Sequence, residues 1–100
     1  MTVQMFVLYR TPDDPAAFEK RYIDGHLPLI KAYANIKDTT FAKVTRKLMG
    51  EFPYDYVFTG MWSDKDAWKA DLSSDAAKHA TEDAKTFAPP FDVAVLETLA

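Results

Sequence analysis

The residue with the clearest chemical potential is His26, which lies where Gly25 and Pro28 weaken the helix predicted around it. A proline cannot donate a backbone hydrogen bond and its ring clashes with the carbonyl four residues earlier, so we expect a kink over Asp24–Leu27. An imidazole titrates near neutral pH and could act there as a general acid or base, or bind a polar ligand. The alternative is structural, with His26 bonded to a backbone carbonyl such as that of Asp24 and fixing the kink.

Tyrosine hydroxyls are the second source of chemistry in the sequence. Tyr9, Tyr22, Tyr33, Tyr54 and Tyr56 could each orient or polarise a ligand in a pocket. The alternative for each is an amphipathic core residue whose hydroxyl has one satisfied hydrogen bond.

The two histidines do not form a metal-binding pattern. His79 lies off the apolar stripe of its predicted helix and is expected to face solvent. Neither His26 nor His79 has a histidine or carboxylate partner at the spacing of helical metal ligands. We therefore predict no metal ligands and no cofactor.

Composition argues against several classes of function. The chain has 12 Lys and Arg against 15 Asp and Glu and no basic stripe, so nucleic-acid binding has no electrostatic support. The absence of cysteine excludes disulfides and thiolate chemistry. No stretch approaches the roughly 20 apolar residues of a membrane helix, and Met1–Met5 lacks the features of a signal peptide. We expect a cytoplasmic protein in which residues 1–100 form a single domain.

A kinked helix is predicted to position His26. Asp14 is a favourable N-cap, and Pro15 suits the first helical position, where an N–H would have no partner. Asn35 is expected to end the helix in a left-handed conformation. Between these ends, one helix face is defined by three- and four-residue spacing. The residues on this face are Phe18, Tyr22, His26, Leu29 and Tyr33.

Apolar alternation predicts four strands, which are Val3–Arg10, Asp38–Leu48, Tyr54–Trp62 and Phe91–Leu99. The first and third strands are apolar on both faces, which indicates central strands that are covered on both sides. The second strand is the most polar, which favours a position at the edge of the sheet.

Two shorter helices are predicted between the third and fourth strands. Ser63 and Asp64 can cap the first, and Ser73–Asp75 can start the second, which Pro89 and Pro90 end. The apolar residues are Ala67, Trp68 and Leu72 in the first helix, and Ala77, Ala80, Ala84 and Phe87 in the second.

The predicted order is β-α-β-β-α-β, with the second α element split in two. This is the pattern of a ferredoxin-like α+β domain, whose four-stranded antiparallel sheet has the strand order 4-1-3-2. That order places the first and third strands in the centre, in agreement with their apolar faces. The helices cover one sheet face, and the other would expose large apolar side chains. We therefore predict a homodimer in which two sheets pack face to face as a dimeric α/β barrel.

The first third of the chain resembles the EthD family of the dimeric α/β-barrel superfamily. The resemblance is carried by Val7–Arg10, Pro12–Phe18, Tyr22 and His26–Leu29. Beyond these residues only the element order and the Phe87–Leu99 ending agree. The resemblance implies a homodimer with a cleft between the sheet and the helices of each monomer.

The resemblance also implies a candidate site. His26 matches the characteristic histidine of the family, with Tyr9, Phe18 and Tyr22 around it. Together with the inward helix face, this predicts His26 as the catalytic residue. The predicted ligand-binding residues are Tyr9, Phe18, Tyr22, Leu29 and Tyr33.

Three functions are compatible with this site. The leading hypothesis is an enzyme or accessory protein of catabolic or secondary metabolism that acts on a small apolar or aromatic compound, with His26 transferring a proton or orienting the ligand. If it is an enzyme, the superfamily implies a cofactor-independent oxygenase, cyclase, isomerase or lyase. The alternatives are a homodimer that binds a hydrophobic ligand without catalysis, and a haem-binding protein with His26 as axial ligand. Fold analogy cannot choose among them.

Overall fold

The helices and strands follow the predicted order. The computed structural model describes residues 2–100. Its elements are β1 (Val3–Arg10), α1 (Pro15–Arg21), a π-helical turn (Tyr22–His26), α2 (Leu27–Lys31), β2 (Asp38–Lys43), β3 (Tyr54–Trp62), α3 (Lys65–Leu72), α4 (Asp75–Phe87) and β4 (Phe91–Glu97).

The four strands form one antiparallel sheet in the order β2-β3-β1-β4. Val7 of β1 lies opposite Phe58 of β3 on one side and Val93 of β4 on the other. This confirms the ferredoxin-like α+β fold, with β1 and β3 in the centre and the polar β2 at an edge.

The two faces of the sheet differ in how they are covered. On the face beneath the helices, the side chains of the central strands are nearly inaccessible to solvent. They include Val7, Tyr9, Tyr56, Phe58 and Trp62. The opposite face is not covered by any element within residues 2–100. It carries the half-buried Phe6, Leu8, Val57 and Met61 and the exposed Leu96.

The predicted helix start and kink are both present around the first helical segment. The carboxylate of Asp14 accepts a hydrogen bond from the backbone N–H of Ala17 at 3.2 Å, and Pro15 occupies the first turn. Pro28 cannot donate to the carbonyl of Asp24, so the regular pattern fails one turn earlier. The chain inserts a π-helical turn, in which the N–H of Leu27 bonds to the carbonyl of Tyr22, five residues back.

The predicted end of this helix is wrong. Among residues 2–100 no residue other than glycine has a positive φ, so Asn35 does not adopt the left-handed conformation. Helix α2 already ends at Lys31. The backbone N–H of Asn35 and its side-chain amide instead donate to the buried carboxylate of Asp71, at 3.1 and 3.0 Å. A side-chain partner from α3 therefore replaces the expected cap.

Two strands are shorter than predicted. Strand β2 stops at Lys43 rather than Leu48. Lys43 pairs with Tyr56, and the next residue of β3, Asp55, lies at a register shift between β1 and β3. Strand β4 stops at Glu97 rather than Leu99, because Glu97 pairs with Val3, the first residue of β1. The length of β4 therefore depends on its neighbour and not on local apolar content.

Candidate functional site

A cavity of about 200 Å3 lies between the sheet and the helices. Strands β1, β3 and β4 supply its floor, and the π-helical turn, α2, α3 and α4 supply its walls. Its lining is mostly apolar, with a few tyrosine, histidine and threonine side chains. The lining residues are Met5, Val7, Tyr9, Tyr22, His26, Ile30, Tyr33, Phe58, Leu72, Ala80, Thr81, Ala84, Phe91 and Val93.

Four of the six predicted site residues line this cavity, namely Tyr9, Tyr22, His26 and Tyr33. Phe18 and Leu29 are not among the lining residues. Phe18 is buried behind it, with its ring centroid 5.5 Å from that of Tyr9 and 5.8 Å from that of Tyr22. Leu29 is half-buried and packs against the core.

His26 is held by a carboxylate from another helix. The π-helical turn ends at His26, which is 3% exposed. Its Nδ1 lies 2.9 Å from Oδ2 of Asp83 on α4. The sequence had offered a carbonyl of the same helix, such as that of Asp24, as the structural partner, whereas the observed partner lies 57 residues away in the chain.

Arg21 holds Asp83 from the other side. Its Nη2 donates to Oδ1 of Asp83 at 2.5 Å, and its Nη1 donates to Oδ2 at 3.3 Å. The guanidinium also lies over the ring of Phe87, 4.4 Å from the centroid. Asp83 thus accepts hydrogen bonds from both Arg21 and His26, and each partner restricts the orientation of its carboxylate.

The charges of this group follow from its contacts. The Arg21 hydrogen bonds, followed by that of His26, hold the pKa of Asp83 below its usual value, so Asp83 is ionised at neutral pH. Burial lowers the pKa of His26 despite the opposing effect of Asp83, so the imidazole is neutral. An ionised carboxylate can only accept hydrogen bonds, so Nδ1 of His26 must carry the proton. Nε2 then has a free lone pair.

Three tyrosine hydroxyls are the other titratable groups that line the cavity. Tyr9 donates a hydrogen bond to the hydroxyl of Tyr22 at 3.2 Å, in a buried pair. Burial raises the pKa of Tyr9 to about 12, and it raises the pKa values of Tyr22 and Tyr33 as well. All three are therefore neutral hydrogen-bonding groups at physiological pH.

Sequence reasoning did not identify Asp83 or Arg21 as site residues. The contacts of Asp83 with Arg21 and His26 join α4 to the first helical segment, and no local motif marks such a pairing. One signal was available. Asp83 lies three residues after Ala80 and four before Phe87, so it is an acid at the margin of an otherwise apolar helix stripe.

Metal-binding clusters and membrane-spanning helices are absent from the part of the chain that the structure describes. Residues 2–100 contain no cluster of three or more His, Asp or Glu side chains able to hold a metal ion. Because about 150 Å3 encloses a single benzene ring, a cavity of about 200 Å3 encloses only part of a haem macrocycle of four pyrrole rings. No helix of this part of the chain is long and apolar enough to cross a membrane. His79 is exposed, as predicted.

The sheet order and the helix-roofed cavity define a ferredoxin-like α+β protein, and comparison with solved structures agrees. An EthD family protein from Bacillus halodurans superimposes with a TM-score of 0.89 at 24% identity, covering 99% of this chain and 100% of that one. The resemblance to the EthD family is thus confirmed at the level of the fold. No family model and no curated protein matches the sequence.

Two further structures with this fold are more distant. SnoaB, a cofactor-independent oxygenase from Streptomyces nogalater, has a TM-score of 0.73 at 14% identity, with 97% of this chain and 92% of that chain covered. A dimeric ferredoxin-like protein of unknown function from Thermobifida fusca has a TM-score of 0.74 at 17% identity, with coverage of 98% and 92%.

Proposed function

We propose that this chain is an EthD-like homodimeric protein that binds a small apolar or aromatic organic compound in the cavity and moves a proton to or from it through His26. The observation that carries the proposal is the neutral, buried imidazole of His26 at an apolar cavity, with Nδ1 bonded to Asp83. This arrangement leaves Nε2 as a base, and Asp83 stabilises the imidazolium that forms when a proton is taken up.

The tyrosine hydroxyls support the same reaction class. Removal of a proton next to a carbonyl places negative charge on the carbonyl oxygen, where hydrogen-bond donors stabilise the transition state. Tyr9, Tyr22 and Tyr33 are uncharged donors that line the same cavity as His26. An isomerase, cyclase or cofactor-independent oxygenase could each begin with this step.

Hydrogen–deuterium exchange tests the proposal without knowledge of the natural substrate. The probe is 2-indanone, a small apolar ketone with acidic hydrogens beside its carbonyl. In D2O, NMR should show that the protein accelerates loss of these hydrogens above the buffer rate, by about 100-fold if His26 provides ordinary general-base catalysis. His26→Gln should abolish the acceleration, and His79→Gln, which changes an exposed histidine, should retain it.

The outcomes separate catalysis from binding alone. Exchange that depends on His26 supports proton transfer. Binding of 2-indanone without accelerated exchange, and with equal affinity in His26→Gln, contradicts it and favours the non-catalytic ligand-binding alternative. A folded His26→Gln protein with full exchange activity would also contradict it.

The homodimer is part of the proposal because one sheet face is uncovered. Phe6, Leu8, Val57 and Met61 lie on this face, and a second copy would remove them from water. The Thermobifida fusca protein is described as dimeric, which supports the same assembly here. A sheet-to-sheet contact is isologous, so each copy contributes the same face.

Sedimentation at micromolar concentration tests the dimer. The wild-type protein should sediment as a dimer, and Leu8→Glu should dissociate it by placing a charge in the centre of the contact. Ile23→Glu is the matched control, because Ile23 is exposed on the π-helical turn on the other side of the sheet. A wild-type protein that is monomeric and folded would contradict the proposed assembly.

A further inference from the structure

The cavity contains no formal charge that could pair with a charged ligand. Its lining includes no Lys, Arg, Asp or Glu. Asp83, which contacts the lining residue His26, is already paired with Arg21. A carboxylate, phosphate or ammonium group placed in the cavity would lose its hydration without gaining a counter-ion, which is strongly unfavourable. The lining therefore favours a neutral ligand.

The tyrosine pair leaves one hydroxyl proton unused. Tyr9 and Tyr22 form one hydrogen bond with each other, but two hydroxyls carry two protons. Whichever of them donates within the pair, the other retains a proton to donate elsewhere. Within residues 2–100 the bond between Tyr9 and Tyr22 is the one hydrogen bond that the hydroxyls of Tyr9, Tyr22 and Tyr33 make. The cavity thus presents donors that an acceptor atom of a ligand would satisfy.

His26 presents the opposite requirement. With Nδ1–H donated to Asp83, its Nε2 is an acceptor, and the one hydrogen bond of the ring within the described part of the chain is that of Nδ1. A ligand that fills the cavity therefore gains one hydrogen bond by donating a hydrogen to Nε2 and another by accepting one from a tyrosine. A molecule without polar atoms would leave these groups desolvated and unpaired, which costs affinity.

From these three observations we infer that the cavity selects neutral ring compounds that carry both an acceptor oxygen and an acidic hydrogen, that is, phenols and enolisable carbonyl compounds. The volume of about 200 Å3 limits the buried part to roughly one substituted ring. Larger compounds can extend past Phe91 and Val93, which are 38% and 52% exposed at the β4 side of the cavity. The inference concerns the same site as the proposed function and refines its substrate class.

A series of one-ring probes tests the inference by NMR titration of the protein. Phenol can donate and accept, anisole can only accept, toluene can do neither, benzoate is an anion, and benzylammonium is a cation. We expect phenol to bind most tightly, anisole about 5-fold and toluene about 20-fold more weakly, as each hydrogen bond is lost. The two ions should bind more weakly than toluene.

Variants show whether the ranking arises in this cavity. Either tyrosine change of the pair alone would still leave one unused proton, so the informative variant combines Tyr9→Phe with Tyr22→Phe. This double variant should lower the affinity for phenol and anisole about 5-fold while leaving toluene unchanged. Tyr33→Phe provides a second variant if the double variant does not fold. Tyr54→Phe is the matched control, since Tyr54 bonds to Asp92 outside the cavity and should leave all affinities unchanged.

Several results would overturn the inference. They are equal affinities for phenol and toluene, tighter binding of benzoate than of phenol, or a lack of binding by all five probes. The binding series is independent of turnover. If deuterium exchange fails while the ranking holds, the proposed proton transfer is wrong and the ligand class stands. If exchange succeeds and the ranking fails, the ligand class is wrong and the proposed proton transfer stands.

Discussion

Replacement of Asp83 by asparagine should disable His26 as a base, because it should move the imidazole proton from Nδ1 to Nε2. In the wild-type protein, Oδ1 of Asp83 accepts from Arg21 at 2.5 Å, and Oδ2 accepts from His26 at 2.9 Å. An amide has only one acceptor oxygen. An NH2 group cannot face the close guanidinium donor, so the amide oxygen should face Arg21 and the NH2 should face His26. Nδ1 must then accept a hydrogen bond, which moves the imidazole proton to Nε2.

The size of the effect follows from the contact that is lost. A hydrogen bond to a charged group contributes about 1.5–3 kcal/mol. Because the side chain of Asp83 is 19% exposed, the lower end applies to its contact with the imidazolium. A loss of about 1.5 kcal/mol slows proton transfer about 10-fold. The loss of the lone pair at Nε2 reduces the rate further, so we expect a total decrease of about 10- to 100-fold.

Nitrogen-15 NMR of the imidazole, together with the exchange of 2-indanone in D2O, measures both consequences. Asp83→Asn should shift the proton to Nε2 and slow exchange. Glu82→Gln, at the exposed neighbouring position of α4, should change neither. If Asp83→Asn keeps the Nδ1–H form and the wild-type exchange rate in a folded protein, the positioning role assigned to Asp83 is wrong.

Three further predictions concern stability and electrostatics. Burial lowers the pKa of His26 from 6.5, so the unfolded chain takes up the proton first and the free energy of unfolding should fall as the pH drops below about 6.5. Urea denaturation should show this pH dependence of the unfolding free energy in the wild type and a weaker one in His26→Gln. An identical pH dependence in both proteins would refute the prediction. Gly25→Ala would place a Cβ 2.5 Å from Nη1 of Arg21; the guanidinium should move away and the pKa of His26 should rise in an NMR titration, whereas an unchanged pKa would contradict the effect assigned to Arg21. Asp71→Ala should destabilise the fold by about 3 kcal/mol, because the carboxylate accepts from the buried indole N–H of Trp62 at 2.7 Å; a loss below about 0.5 kcal/mol in chemical denaturation would show that these hydrogen bonds are dispensable.

The parts of the fold that sequence reasoning predicted have local signals. Asp14, Asp64 and Ser74 each cap a helix three residues before the N–H that they bind, and that spacing is visible in the sequence. Strand β3 was predicted with its observed bounds, Tyr54–Trp62, because alternation and a preceding proline mark both its extent and its start. The central position of β1 followed from apolar residues on both of its faces.

The parts that were missed depend on contacts between distant residues. The end of β4 is set by the start of β1, and Asn35 is held by Asp71, 36 residues further along the chain. Asp83 was missed as a site residue for the same reason, because its contact with His26 joins residues that are 57 positions apart. The kink at His26 was predicted from Pro28. Its form, a π-helical turn, depends on which carbonyl accepts the hydrogen bond of the Leu27 N–H, and the sequence does not show this.

A crystal structure of the protein with 2-indanone bound tests the central claim most directly. We predict that the ketone lies in the cavity with its oxygen at hydrogen-bond distance from the hydroxyl of Tyr22 or Tyr33, and with the adjacent carbon facing Nε2 of His26. A ketone bound at another surface, or one in the cavity with its ring-carbon hydrogens directed away from His26, would contradict the account.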